Sequence, residues 1–219
     1  MSVFRRAAAR RGTAADWLVV GLGNPGEKYA GSRHNVGAEA VERWATALGC
    51  ELQAQRREHA RTAVAPHRTQ LIALACPTTF MNESGQSVSP LVKRHGIVEA
   101  ERVVIVHDEL DLEPGRVKVK IGGGIAGHNG LASVASHLGS RDFVRIRLGI
   151  GKPPHPDAGK KWVLQQPGRR ERELLDAAVD IAVSALERVV RDGAEAAMNT
   201  VNSPLRPPRP DPPRPVDLR

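Results

Sequence analysis

The run VVIVH at 103–107 places four apolar, mostly β-branched residues in succession, without the polar alternation of a strand that faces water. A run this short and this continuous reads as a strand covered on both faces, which calls for a parallel or mixed sheet with helices on either side. WLVVG at 17–21 and QLIALA at 70–75 have the same character. A strand at 61–65 lies close enough before the latter to predict a hairpin. Two further strands, RVKVKI at 116–121 and VRIRLGI at 144–150, alternate strictly. Val117, Val119 and Ile121 oppose Lys118 and Lys120, and Val144, Ile146 and Leu148 oppose Arg145 and Arg147.

Between these strands the apolar spacing changes to 3.6 residues. Helices are predicted over about 36–48 (Val36, Ala40, Val41, Trp44, Leu48), 84–95 (Val88, Leu91, Val92) and 128–138 (Leu131, Val134, Ala135, Leu138). The longest covers about 169–191, with Leu174, Leu175, Val179, Ile181 and Leu186, and Gly193 marks its stop. Interleaved strands and helices predict an α/β fold, a single-domain three-layer sandwich with a twisted mixed β-sheet between helices.

The chain of 219 residues is long enough for one full core. Only 3% of residues are aromatic, which argues against a base-stacking platform for single-stranded RNA. The net charge of +8 suits a polyanionic partner such as nucleic acid, although a basic surface with basic tails accounts for it equally. Cys50 and Cys76 form neither a disulfide framework nor a metal-ligand spacing, so a cytoplasmic protein is expected. No apolar run reaches membrane-spanning length. The expected organisation is a basic disordered arm (1–15), a folded domain (16–203) and a Pro/Arg-rich disordered tail (204–219). The stretch from Ser203 holds seven of the sixteen prolines and cannot continue a helix.

The stretch GLGNPG contains a GxGxxG at Gly21, Gly23 and Gly26. A dinucleotide fingerprint needs a helix that begins within the glycines and an acidic residue after the second strand. Helical periodicity here waits until about Val36, and the second strand ends VAPHR without an acid. A phosphate-binding Walker loop fails as well, because Glu27 stands where lysine is required. What remains is a strand ending in a glycine turn, followed by a loop that carries Asn24, Tyr29, His34 and Asn35.

Three other stretches place polar residues at strand ends: PTTFMNESG with Asn82, VIVHDELDL with Asp108, and GGGIAGHNG with His128 and Asn129. No nucleophile elbow, Cys–His arrangement or HExxH accompanies them. A histidine steered by an aspartate activates water, and asparagine amides stabilise a developing oxyanion without adding charge. Together they read as metal-free hydrolysis of an activated carbonyl, an ester rather than an amide. Each residue alone has a plainer role: Asn82 and Asn129 as helix caps, Asp108 as a turn acid, His34 as a surface or core histidine. His107, His128 and His137 match no metal-binding spacing, and His137 is expected on a helix surface.

In this order and separation VVGLGNPGEKYAGSRHN, PTTFMNESG, HDELDL, GGGIAGHNG and DFVRIRLGIGKP closely resemble the bacterial peptidyl-tRNA hydrolase family, from about Trp17 to Asn202. The resemblance implies a monomer that cleaves the ester between a peptide and the 3′ end of tRNA, recycling prematurely released peptidyl-tRNA, with no metal or organic cofactor. It implies His34 as catalytic base and Asp108 as its orienting partner. Asn24, Asn82 and Asn129 would bind the substrate and position water or oxyanion, and Tyr29, Phe80 and Met81 would shape the cleft. Lys120 and Arg147 would grip a tRNA phosphate, in keeping with basic residues on the polar faces of two alternating strands. One departure is visible: Ile125 and Ala126 interrupt a stretch that in the family usually reads GGGxGGHNG. A non-catalytic RNA-binding protein on the same fold is the alternative, and a nucleotide-dependent oxidoreductase is disfavoured by the late helix and missing acid.

Overall fold

The computed structural model describes residues 3–4 and 12–203. Most of the expected basic arm and the whole expected tail lie outside the described residues. Seven strands form one sheet: β1 (Trp17–Gly21), β2 (Gln53–Gln55), β3 (Ala60–His67), β4 (Gln70–Pro77), β5 (Val103–Glu109), β6 (Val117–Ile121) and β7 (Val144–Gly149). Their order is β2-β3-β4-β1-β5-β7-β6. β1 runs parallel to β4 and β5, and β5 parallel to β7. The β3–β4 hairpin, the β2–β3 pair and the β6–β7 pair are antiparallel, so the sheet is mixed, as expected.

Residues 103–106 of β5 are fully buried, two to each face. Val104 and Val106 join one core, Val103 and Ile105 the other. The first core is closed by α1 (Val36–Ala47), α5 (Arg169–Asp192) and α6 (Ala194–Val201), through Trp44, Leu175, Val179, Leu186 and Ala197 among others. The second lies under α2 (Ser84–His95) and α3 (Asn129–Leu138), which contribute Val88, Leu91, Leu131, Val134 and Leu138. Val3 and Phe4 are buried against this second core. Each fully buried Leu- or Val-sized side chain contributes about 1.5–3 kcal/mol, so both helical layers are anchored by their apolar stripes.

Three elements escape the sequence reading. Strand β2 has three residues, two of them exposed, at the edge of the sheet. The remaining helix, α4 (Gly159–Leu164), has six residues and buries no side chain completely, so it carries no apolar stripe to detect. Helix α6 follows Gly193, whose φ of 89° ends α5 as expected.

The close approach of α1 to the sheet explains the glycines of the first loop. A Cβ on Gly21 would overlap the Gly37 carbonyl, and one on Gly37 would overlap the Val106 carbonyl. These residues therefore serve helix–sheet packing, and α1 begins at Val36, well beyond Gly26, unlike a dinucleotide-binding turn.

Candidate active site

β1, β4 and β5 are parallel, so their carboxyl ends open on one edge of the sheet. This edge receives the Gly21–Asn24 turn, the segment leading to Met81, and Asp108 near the end of β5. β6 runs the other way and ends opposite Val144, at the far edge. Residues 122–128 must therefore return along about 13 Å of strand to reach the site, at roughly 3.3 Å per residue. Arg145 holds them on this path. Its guanidinium donates to the Gly124 carbonyl at 2.7 Å and to the Gly122 carbonyl. Arg145 is thus buried, at 2% exposure, and is not the solvent-facing base that strand alternation suggests. Within the same loop Ala126 adopts φ 47°, the left-handed region that costs a non-glycine residue about 1–3 kcal/mol.

A cleft of about 1040 Å³ covers this edge. Asn24, Tyr29, His34, Phe80, Met81, Asn82, Asp108 and Asn129 all line it, with His128. Lys152 and the α4 residues Lys160, Val163 and Leu164 form a further wall that the sequence did not reveal.

At the floor, His34 Nδ1 lies 2.7 Å from Asp108 Oδ1. The carboxylate can only accept, so Nδ1 carries the hydrogen, and in the neutral ring Nε2 then holds the lone pair, with no partner among the described residues. His128 Nε2 meets the same oxygen at 3.0 Å. Burial alone would push the Asp108 carboxyl up. The interactions with His34 and His128 outweigh it and hold the group well below the usual carboxylate range, so it is ionised at neutral pH. These three ligand atoms, within 4.8 Å of one another, are the arrangement among the described residues that could hold a metal ion.

Asn24 is held from both sides. Its backbone N–H donates to Asn35 Oδ1 at 2.8 Å, and Asn35 Nδ2 donates to its carbonyl at 3.0 Å. Its Oδ1 accepts from the Met81 N–H at 2.9 Å, which leaves the Nδ2 hydrogens for a ligand. Asn82 sits in a 3₁₀ turn, Met81–Glu83, and α2 has no side-chain cap. His128, not Asn129, caps α3. Neither asparagine serves as a cap, and both are exposed in the cleft.

Arg33, next to His34, is 4% exposed. It pairs with Glu171 through two contacts of 2.6 and 2.5 Å and donates to the carbonyls of Trp162 and Gln165. Its guanidinium also stacks 3.6 Å from the Trp162 ring centroid. The loop carrying His34 is thereby fastened to α4 and α5.

Lys120 and Arg147 lie outside the cleft. The register sets Lys120 opposite Arg145 and Lys118 opposite Arg147, which makes Lys120 and Arg147 diagonal neighbours on one face. Arg147 Nε donates to Glu109 at 2.9 Å, and Glu109 lines the cleft. Lys120 is exposed and forms no ion pair among the described residues. His137 is exposed on α3, as expected.

Two buried histidines make the interior sensitive to acid. Burial, and secondarily the neighbouring His128, hold His107 well below the ordinary histidine value of 6.5. Burial lowers His95 as well. Below about pH 6.5 the unfolded chain binds protons that the folded chain refuses, so stability is full above that pH and falls beneath it. Each histidine adds a slope of up to about 1.4 kcal/mol per pH unit. Calorimetry from about pH 7 to about pH 5 is expected to show a falling Tm, with a shallower fall in His95→Gln.

A model of the peptidyl-tRNA hydrolase family matches residues 18–209. A peptidyl-tRNA hydrolase of Mycolicibacterium vanbaalenii is 45% identical over 186 residues, covering 85% of this chain and 96% of that protein. That of Cutibacterium acnes is 42% identical over 197 residues, with 85% and 98% covered. The crystal structure of peptidyl-tRNA hydrolase from Acinetobacter baumannii superposes with a TM-score of 0.81 at 37% identity, covering 88% of this chain and 97% of that one. The fold is therefore shared along with the sequence, and the chain belongs to the peptidyl-tRNA hydrolase family.

Proposed function

We propose that this chain hydrolyses the ester between a peptide, or an N-blocked amino acid, and the 3′ end of tRNA, recycling tRNA from prematurely released peptidyl-tRNA. The observation that carries the reading is the His34–Asp108 pair at the floor of a cleft lined by three asparagines, on this family's fold. His34 Nε2 takes a proton from water as its oxygen attacks the ester carbonyl carbon, and Asp108 stabilises the imidazolium. The tetrahedral intermediate collapses with cleavage of the bond to the ribose oxygen, which recovers the proton from His34. The products are a peptide carboxylic acid and tRNA with a free hydroxyl. Asn24 Nδ2, Asn82 and Asn129 supply uncharged donors to the substrate and the developing oxyanion. Tyr29, Phe80 and Met81 form the less polar wall along the peptide.

Lys120 and Arg147 hold a tRNA phosphate. Lys120→Ala is expected to weaken tRNA binding and to reduce the slope of log affinity against log salt by about one. Filter binding across a salt series measures this, and an unchanged slope would remove Lys120 from the contact. The reading takes residues 16–203 as the folded unit, between a basic arm and a Pro/Arg-rich tail, acting as a cytoplasmic monomer without a metal. No helix among the described residues is long and apolar enough to cross a membrane.

The test is release of an N-blocked amino acid from its tRNA by the purified chain, with and without chelator. Release at equal rates in both supports the reading. Intact tRNA binding without release would turn it towards an RNA-binding role.

A further inference from the structure

His128 belongs to no part of the mechanism above, yet it is built into the site from three directions. Its Nε2 lies 3.0 Å from Asp108 Oδ1, the oxygen that His34 also uses. Its Nδ1 accepts the Leu131 backbone N–H at 3.3 Å, as the side-chain cap of α3. Its ring stands 5.1 Å from that of His34 and 5.0 Å, nearly edge-on, from that of His107. The His107 ring in turn donates from Nδ1 to the Asp108 carbonyl at 2.6 Å, tying down the backbone of the same residue.

These contacts select one tautomer. A ring nitrogen that accepts from a backbone N–H carries no hydrogen of its own, so the hydrogen of His128 resides on Nε2 and points at the carboxylate. The orphan amides of the α3 N-terminus thus determine which end of this imidazole donates.

We infer that His128 is a positioning residue for the hydrolysis: the cap of α3 locks it with the hydrogen on Nε2, and that N–H anchors the Asp108 oxygen from which His34 is aimed. The inference rests on the reading of His34 as the base. It explains why a helix cap is a histidine, where serine, threonine, aspartate and asparagine are the usual choices. Serine would satisfy the amide but could not reach Asp108. It also bears on the cluster of His34, Asp108 and His128 as a cation site. A metal on His128 Nε2 would move the hydrogen to Nδ1, directly against the Leu131 N–H, so the helix cap opposes cation binding there.

The tautomer is read by long-range ¹H–¹⁵N correlation spectra of the full chain labelled at histidine, with His128 assigned by its loss in His128→Ser. Nε2–H with unprotonated Nδ1 is expected, and Nδ1–H at this residue would overturn the inference. His128→Ser keeps a capping oxygen and removes the donor to Asp108, together with the ring that stands against His34 and His107. Its kcat is expected to fall about tenfold or more, with KM changed less than about twofold and Tm close to that of the wild type. His128→Ala loses the cap as well, so its Tm drops further while its kcat matches that of the serine variant. A serine variant that turns over like the wild type would sink the role of His128 while leaving an inactive His34→Ala to support the base. A His34→Ala variant with wild-type turnover would remove the base itself.

Discussion

His34→Ala is expected to lower kcat/KM for N-blocked aminoacyl-tRNA by about 10²- to 10⁴-fold, the usual contribution of a positioned general base. Its Nδ1 is occupied by Asp108, and its Nε2 is the unpartnered lone pair of the cleft floor. No neighbour replaces it. His128 Nε2 bears its hydrogen towards Asp108, and His107 is buried with its Nδ1 on a carbonyl. Affinity for tRNA is expected to persist, because Lys120 and Arg147, the residues proposed to hold a tRNA phosphate, lie on the β6–β7 face away from the cleft floor. Single-turnover hydrolysis and filter binding on the same preparation separate the two effects. A variant that hydrolyses at the wild-type rate would show that another group activates water.

The second large effect is expected from one methyl group between α1 and β5. Gly37 lies in the first turn of α1, against β5. A Cβ there would overlap the Val106 carbonyl oxygen and lie 2.8 Å from the Val106 carbonyl carbon and 3.0 Å from His107 Cα. All three are backbone atoms of a central strand, so no side-chain rotation relieves the contact. Gly37→Ala must therefore lift α1 from the sheet, at a cost of about 1–3 kcal/mol or more. The displacement falls between the two halves of the site, since α1 follows directly from His34 and β5 carries Asp108. Stability and turnover are expected to fall together, read by denaturant unfolding and by kcat. An alanine variant as stable and as active as the wild type would mean that α1 and β5 are not in this contact.

Much of the architecture was legible in the chain. The unbroken run at 103–106 proves to be buried on both sides, and the alternation of 117–121 and 144–148 predicted the face each valine would bury. Helices α1, α2, α3 and α5 match their expected spans to within a residue or two, because a 3.6-residue period records burial along one face. Leu174 and Ile181 of the stripe expected on α5 are nevertheless exposed. Strand β2 and helix α4 left no such record, being short and mostly unburied. The polar residues of the cleft floor were also readable, at the ends of apolar runs, whereas the wall of Lys152 and α4 left no signal.

Periodicity speaks of how deeply a residue is buried and never of its partner. His34 and Asp108 are separated by 74 positions, and their contact exists only because β1 and β5 pair in parallel. Strand alternation placed Arg145 on the polar face with Lys120. The reversal of β6 sent the glycine-rich loop back across that face, so Arg145 is buried under loop carbonyls instead of facing solvent. Asn35 pinning Asn24, Arg33 fastening α4, and His128 turning a helix cap towards a carboxylate depend on directions between segments distant in sequence. From the sequence alone came the elements, their buried faces and the candidate chemistry; the tertiary structure decided which atoms meet, because hydrogen bonds require an orientation that only the packed chain supplies.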